Sequence, residues 1–218
     1  QPRALYGDVP QELMFREGNR KFLMQPFQGQ KTGFFLDQRE NRDRVAALAK
    51  GRRVLNLCSY TGGFTIAAGL GGAESVISVD ISGAALELAR RNVALNGLDE
   101  SKFGFVKADM FEWLTHETRK APRFDLVIVD PPSFAASAKS VKDGGKAYVR
   151  LNELALKTVQ SGGWYVSASC SSHLRVEGFV DLLAAAAERS SRVLTLTELC
   201  GCLLYTSHAA DDTPCVDL

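Results

Sequence analysis

Several polar residues stand at or just after short apolar runs. Asn56 and Cys58 belong to the end of Arg53-Val54-Leu55-Asn56-Leu57, Asp80 follows Ser75-Val76-Ile77-Ser78-Val79, Asp109 comes soon after residues 103–106, and Asp130 follows residues 124–129. Runs of this length read as buried strands of a parallel sheet. Ligands of such sheets bind beyond the carboxyl ends of the strands. The turn Asn56-Leu57-Cys58-Ser59-Tyr60-Thr61-Gly62-Gly63-Phe64 lets backbone approach a ligand and then opens a helix. It lacks the Gly-x-Gly-x-x-Gly spacing of a dinucleotide site, and alone it is equally a tight strand-to-helix connection. Asp80, 18 positions after Gly62, can accept two ribose hydroxyls or serve the helix that starts at Ser82. Asp109 can take an adenine amino group or cap a helix. Together the turn and the two acids describe a pocket for an adenosine that carries no pyrophosphate.

Asp130-Pro131-Pro132-Ser133-Phe134 is a second centre. Two prolines fix φ and remove two amide donors, so carbonyls here can point outward without chain partners. A carboxylate, such carbonyls and the Phe134 ring suit a flat polar base, on which the ring would stack. Ser169-Cys170-Ser171 leaves its strand on the same edge. A thiol shortly before a helix N-terminus is a candidate nucleophile, although a lone cysteine is ordinarily a small buried hydrophobe. The Ser169 and Ser171 hydroxyls are expected to stabilise its anion. His173 reads as a loop or capping residue before it reads as a base.

These positions require an alternating chain. Residues 53–57, 75–79, 103–106, 124–129 and 163–169 read as strands, with a last candidate at 193–198. Residues 36–50, 63–70, 82–96, 110–118, 142–160 and 176–189 read as helices. Alternation implies crossover connections and an α/β fold, a mostly parallel sheet with helices on both faces. Ahead of it, residues 12–16 and 21–24 flank Glu17-Gly18-Asn19-Arg20 as a short β-hairpin.

The 218 residues suffice for one domain whose core needs neither disulfide nor metal. Twenty-six Lys and Arg against 25 Asp and Glu exclude a histone-like basic binder, though not a local basic face. Such a face is expected from Lys31, Arg39, Arg42, Arg44, Lys139, Lys142, Lys146 and Arg150. Five cysteines without framework spacing fit a reducing compartment, the cytoplasm. Cys200-x-Cys202 has no answering pair, so no metal is expected. No apolar run approaches the ~20 residues of a membrane span. The chain opens Gln1-Pro2-Arg3 without an initiator methionine, so a start further upstream or a trimmed end is expected.

Lys31-Thr32-Gly33-Phe34-Phe35-Leu36-Asp37-Gln38-Arg39, the 56–64 turn, Asp130 to Phe134 and Ser169-Cys170-Ser171 together resemble bacterial S-adenosylmethionine-dependent methyltransferases of the RlmI type. The resemblance covers residues 5–198. It implies the Rossmann-like class I methyltransferase fold and 5-methylcytosine formation in large-subunit (23S) ribosomal RNA. It implies that the 56–63 turn, with Asn56, Tyr60 and Gly62, holds the methionine end of the cofactor. Asp80 and Ile81 would meet the ribose, Asp109 and Met110 the adenine, and the segment with Phe34 and Arg39 would fold over them. Pro131, Pro132 and Phe134 would meet the target base. On this basis residues 1–30 are the hairpin remnant of an N-terminal RNA-binding region. Residues 31–198 form the methyltransferase domain, and 199–218 an irregular tail, truncated or non-native. Relatives carry a PUA domain and a closing hairpin that this sequence lacks.

Carbon 5 of cytosine is too weak a nucleophile to take a methyl group directly. Cys170 adding to carbon 6 would activate the ring, and Asp130 would hold the ring nitrogen and amino group. The target must be single-stranded or splayed out. Methylation of a guanine or adenine nitrogen, which needs no cysteine, stays open, as do a non-catalytic cofactor- or RNA-binding module and a homodimer. A dinucleotide oxidoreductase is disfavoured by the glycine spacing.

Overall fold

Leu13–Glu17 (β1) and Arg20–Met24 (β2) pair antiparallel with Glu17 opposite Arg20, so the turn has two residues. Gly18, its first residue, has φ +58°, which a type II′ hairpin turn gives to glycine. A short 3-10 turn, Leu36–Gln38, leads into α1 (Arg39–Leu48). There follow β3 (Arg53–Leu57), α2 (Gly63–Leu70), β4 (Ser75–Asp80), α3 (Gly83–Leu95), β5 (Phe103–Lys107), α4 (Met110–Glu117), β6 (Phe124–Val129), α5 (Val141–Leu156), β7 (Val159–Ser167) and α6 (Val176–Ser190). This computed structural model describes residues 7–27, 29, 33–121, 123–134, 141–171, 173–201 and 214–215, without the side chains of 141, 142, 201, 214 and 215.

The five strands β3 to β7 form one parallel sheet in the order β5-β4-β3-β6-β7. Period two sorts its faces. Leu55 and Leu57 of β3 pack with Val127, Val129, Tyr148, Leu151 and Phe179, on the side of α4, α5 and α6. Val54 packs with Val76, Leu126, Ile128, Val45 and Ala67, on the side of α1 and α2. Both faces are apolar because crossover helices cover both. Strand order reverses between β3 and β6, so the crevice for a ligand opens at their carboxyl ends.

The hairpin is a separate sheet, yet it is welded to the domain. Phe22 is fully buried with Phe34, Ile66 and Val93. The amides of Lys21 and Leu23 donate to Asn96 Oδ1 (2.9 Å) and Asn92 Oδ1 (2.7 Å) of α3 and its C-cap. Two asparagine side chains thus do for β2 what a third strand would do.

Three expectations need correction. The helix expected to reach residue 160 stops at Leu156, and β7 starts at Val159 rather than 163. Thr158 ends the helix by donating its N–H and hydroxyl to the Ala155 carbonyl, and its own carbonyl accepts from Phe124 N at 3.2 Å. Residues 193–198 are not a strand. Only Leu194 of their apolar residues packs on the core, Val193 is 97% exposed, and an Arg44–Glu198 ion pair of 2.7 Å ties the segment down. The tail is not wholly irregular, because Cys200–Gly201 pairs with Pro214–Cys215. Residues 202–213 and 216–218 lie outside the described residues. Among the described residues no helix is long and apolar enough to cross a membrane.

Asp125, on β6, ties that strand to β3. Its carboxylate accepts from Arg53 N and Nε, both at 3.0 Å. The Arg53 hydrogen bonds hold the Asp125 carboxyl below the usual aspartate value. A depressed folded pKa means stability that is present above the unfolded value and lost as pH falls through the folded one. Asp125→Asn is therefore expected to flatten the acid limb of a stability-versus-pH curve below the ordinary aspartate range. An unchanged limb in acid-denaturation titrations would remove the pair from that role.

Candidate active site

The turn after β3 is built on backbone that few residues adopt. Cys58 (φ 56°), Tyr60 (φ 47°) and Gly62 (φ 84°) are all left-handed, and such strain persists where surroundings over-determine it. Asp80 supplies one determinant: its Oδ2 accepts from Tyr60 N at 2.8 Å, and its Oδ1 from Ser82 N at 2.8 Å. Ser59 N donates to the Val79 carbonyl at 3.1 Å. Beneath the turn, Asn56 Nδ2 donates to Thr65 Oγ1 (3.0 Å), which shares a hydrogen with Ser78 Oγ (2.8 Å). This buried chain ties β3, α2 and β4 together.

A cleft of about 420 Å³ opens above it, within the range of small-ligand sites. Its walls hold Phe34, Phe35 and Arg42 on one side, Tyr60, Asp80 and Ile81 on the next, then Asp109 and Met110, and finally Asp130, Pro131, Pro132 and Cys170. Asp109 is the N-cap of α4, its Oδ1 accepting from Phe111 N (2.8 Å) and Glu112 N (3.1 Å), and it lines the cleft as well. The capping reading holds, and the same residue stands on the cleft wall.

The two thiols of the cleft differ. Cys58 Sγ lies 3.2 Å from Met110 Sδ. Burial, then the charges of Asp130, Asp80 and Asp109, push the Cys58 thiol far up, so it stays protonated. Cys170 is exposed, with Sγ 3.7 Å from the Pro131 carbonyl. The flanking serines do not face it. Ser169 and Ser171 are buried at 1% and 0% exposure and turn towards the Tyr148 hydroxyl. Their hydroxyls are engaged there, on the side away from the exposed thiol, so the expected hydroxyl stabilisation of the thiolate is corrected.

Four expected site residues lie off the cleft. Asn56 is buried under the turn; the Gly62 Cα faces α3, where an added Cβ would meet Ala89 Cβ at 3.0 Å; Arg39 is exposed at the start of α1. The Phe134 ring packs on Tyr148 (4.9 Å) and Phe111 (6.2 Å), so core packing has claimed the ring expected to stack on a base. The basic face also shrinks. Arg42 is 2% exposed, its Nη2 donating to Glu17 Oε2 at 2.5 Å and its Nε to Glu17 Oε1 at 2.8 Å. Arg44, Lys146 and Arg150 pair with Glu198, Asp143 and Glu153. Lys31, Lys139 and the Lys142 side chain lie outside the described residues.

Arg42 is the wall residue that sequence reading placed wrongly. Besides Glu17 it donates to the Phe35 carbonyl at 3.0 Å, and its guanidinium lies 4.7 Å from the centre of the Phe34 ring. It sits one helical turn from Val45 and three residues from Arg39, on the inward face of α1. A buried arginine needs a carboxylate, and Glu17, the acid that ends β1, was the available signal.

A family model described as S-adenosylmethionine-dependent methyltransferase matches residues 7–186. A ribosomal RNA large subunit methyltransferase of Deinococcus radiodurans is 46% identical over 191 residues, 87% of this chain and 47% of that protein. Ribosomal RNA large subunit methyltransferase I of Erwinia tasmaniensis is 41% identical over 196 residues, 89% of this chain and 50% of that protein. The chain thus spans about half the length of the curated relatives it matches. A solved structure of a candidate methyltransferase complexed with SAH superposes with a TM-score of 0.82 at 27% identity, over 97% of this chain and 57% of that one. A candidate SAM-dependent methyltransferase from Streptococcus mutans gives 0.81 at 28%, over 91% and 52%.

Proposed function

Since this chain belongs to the S-adenosylmethionine-dependent methyltransferase family, we propose that it methylates carbon 5 of a cytosine in large-subunit ribosomal RNA, with Cys170 as the covalent nucleophile. The observation that carries the reading is the exposed thiol of Cys170 beside Asp130, Pro131 and Pro132, in the same cleft as Asp80 and Asp109. The names of the relatives support ribosomal RNA as substrate, and ribosomal RNA is processed in the bacterial cytoplasm.

S-adenosylmethionine is the cofactor of this family, and the residues present fit it. Two carboxylates on successive strand ends suit a ribose and an adenine amino group. Ser59, at the turn, keeps a buried hydroxyl with no hydrogen-bond partner among the described residues, a donor available to the methionine end. Phe34 and Phe35 close one wall. When bound, the cofactor supplies an electrophilic methyl group.

The protein's own residues do the rest. The exposed Cys170 thiol gives up its proton to solvent and the thiolate adds to carbon 6 of the cytosine. The electron pair of the 5,6 double bond then becomes available at carbon 5, which takes the methyl group as the methyl–sulfur bond breaks and its electron pair stays on sulfur. Asp130 holds the ring nitrogen and amino group as electrons enter the ring. A base removes the carbon 5 proton, the double bond reforms, and the sulfur–carbon bond breaks to return the thiolate. Holding the two reactants in line within one cleft contributes much of the rate.

Asp80→Ala is expected to weaken S-adenosylmethionine binding by about 10- to 100-fold, the worth of a charged hydrogen-bond acceptor. Part of the loss arises because Tyr60 N and Ser82 N lose their acceptor. Unchanged affinity in titration calorimetry would take Asp80 out of the site.

A further inference from the structure

We infer that Tyr148 is a positioning residue that locks the Cys170 loop to the Asp130-Pro131-Pro132-Ser133 turn, an inference that rests on the nucleophile proposed above. Tyr148 lies on α5, is fully buried, and does not line the cleft. Ser169 Oγ donates to its hydroxyl at 2.9 Å, and Ser171 Oγ shares a hydrogen with it at 2.8 Å. Ser171 Oγ in turn meets Ser133 Oγ at 2.9 Å. One chain of hydroxyls therefore joins α5, the exit from β7 and the proline turn.

The chain extends a pattern set deeper in the domain. One helical turn along α5, Asn152 Oδ1 accepts from Tyr165 (2.6 Å) and Ser167 (2.8 Å). The hydroxyls of residues 165, 167, 169 and 171 thus all turn to α5, and the same alternation sends Cys170 into the cleft. Apolar side chains could fill this volume. Directional bonds add what packing does not, a fixed register between two loops. The Tyr148 ring is itself held edge-on against Phe134 (4.9 Å) and Phe179 (5.5 Å), so its hydroxyl has little freedom. Burial pushes the phenol above its ordinary pKa, so it keeps the proton it contributes to the chain.

Tyr148→Phe keeps the ring and deletes the link. With unmodified large-subunit ribosomal RNA, kcat is expected to fall about a hundredfold, the scale of an ångström-sized misplacement. KM for RNA and calorimetric affinity for S-adenosylmethionine should stay within about threefold, since the cofactor walls are untouched. Ser133→Ala, at the far end, should lose about tenfold, and the double variant should be no worse than Tyr148→Phe, the non-additivity of one network. Independently of turnover, iodoacetamide alkylation of Cys170 should change at least about fivefold in Tyr148→Phe, as a freed loop would. Wild-type kcat and alkylation in Tyr148→Phe, or additive losses, would overturn the positioning role while an inactive Cys170→Ala leaves the nucleophile standing. Should Tyr148→Phe fail to fold, unchanged kcat in Ser133→Ala overturns the role. Full activity of Cys170→Ala would overturn the nucleophile and this inference with it.

Discussion

Cys170→Ala is expected to abolish methyl transfer, by about 10⁴-fold or more, the scale reached when a covalent nucleophile is removed. Cofactor affinity should be unchanged within about twofold, because Asp80, Asp109 and the Phe34–Phe35 wall remain. Cys58→Ala should keep covalent chemistry, since its protonated thiol faces Met110. RNA carrying 5-fluorocytosine has no carbon 5 proton to lose, so the adduct should accumulate after methylation, and peptide mapping should place it on Cys170. A crosslink on Cys58, or none despite methyl transfer, would overturn the assignment in favour of methylation at a guanine or adenine nitrogen. No transfer to any RNA with cofactor bound would favour a non-catalytic module.

Glu17→Ala is expected to destabilise the protein by about 3–5 kcal/mol, because it strands buried arginine charge. Glu17 accepts from both Arg42 and Arg20, whose side chains are 2% and 6% exposed. Arg20 keeps Asp43 at 2.6 Å, whereas among the described residues Arg42 keeps only the Phe35 carbonyl as a hydrogen-bond acceptor. For a chain of this size the loss corresponds to a melting temperature lower by on the order of 10 °C. Cofactor affinity should fall too, since Arg42 holds the Phe34–Phe35 wall. Replacing Glu17 and Arg42 together by methionine should recover much of the stability. A single variant that melts within about 2 °C of the wild type would show that the pair is not desolvated as described.

The sheet was legible because its signal is redundant: each strand is an apolar run bounded by turn chemistry, and the acids after them share one edge. Asp80, Asp109, Asp130 and Cys170 could be read for that reason. The failures share a cause. Asn56, Phe134 and Arg42 were read from their places along the chain, but tertiary partners decide which way an amide, a ring or a guanidinium faces: Thr65 holds the Asn56 Nδ2, Tyr148 the Phe134 ring and Glu17 the Arg42 guanidinium. Residues 193–198 have a strand's composition, yet a strand needs a neighbour.

The docking of β2 on Asn92 and Asn96 sets an order of assembly. The partners of Lys21 and Leu23 lie 75 and 69 residues further along the chain, so on the ribosome the hairpin waits, its amides wet and Phe22 exposed, until α3 has emerged. Long closures of this kind slow the joining step. The cofactor wall, hung on the same hairpin through Glu17 and Arg42, is therefore completed late. Pulse-labelled hydrogen exchange should find the Lys21 and Leu23 amides protected after those of β3 and β4, and the reverse order would exclude this sequence of events. A nascent chain would then pair β3 with β4 before it acquires the wall that closes over its cofactor.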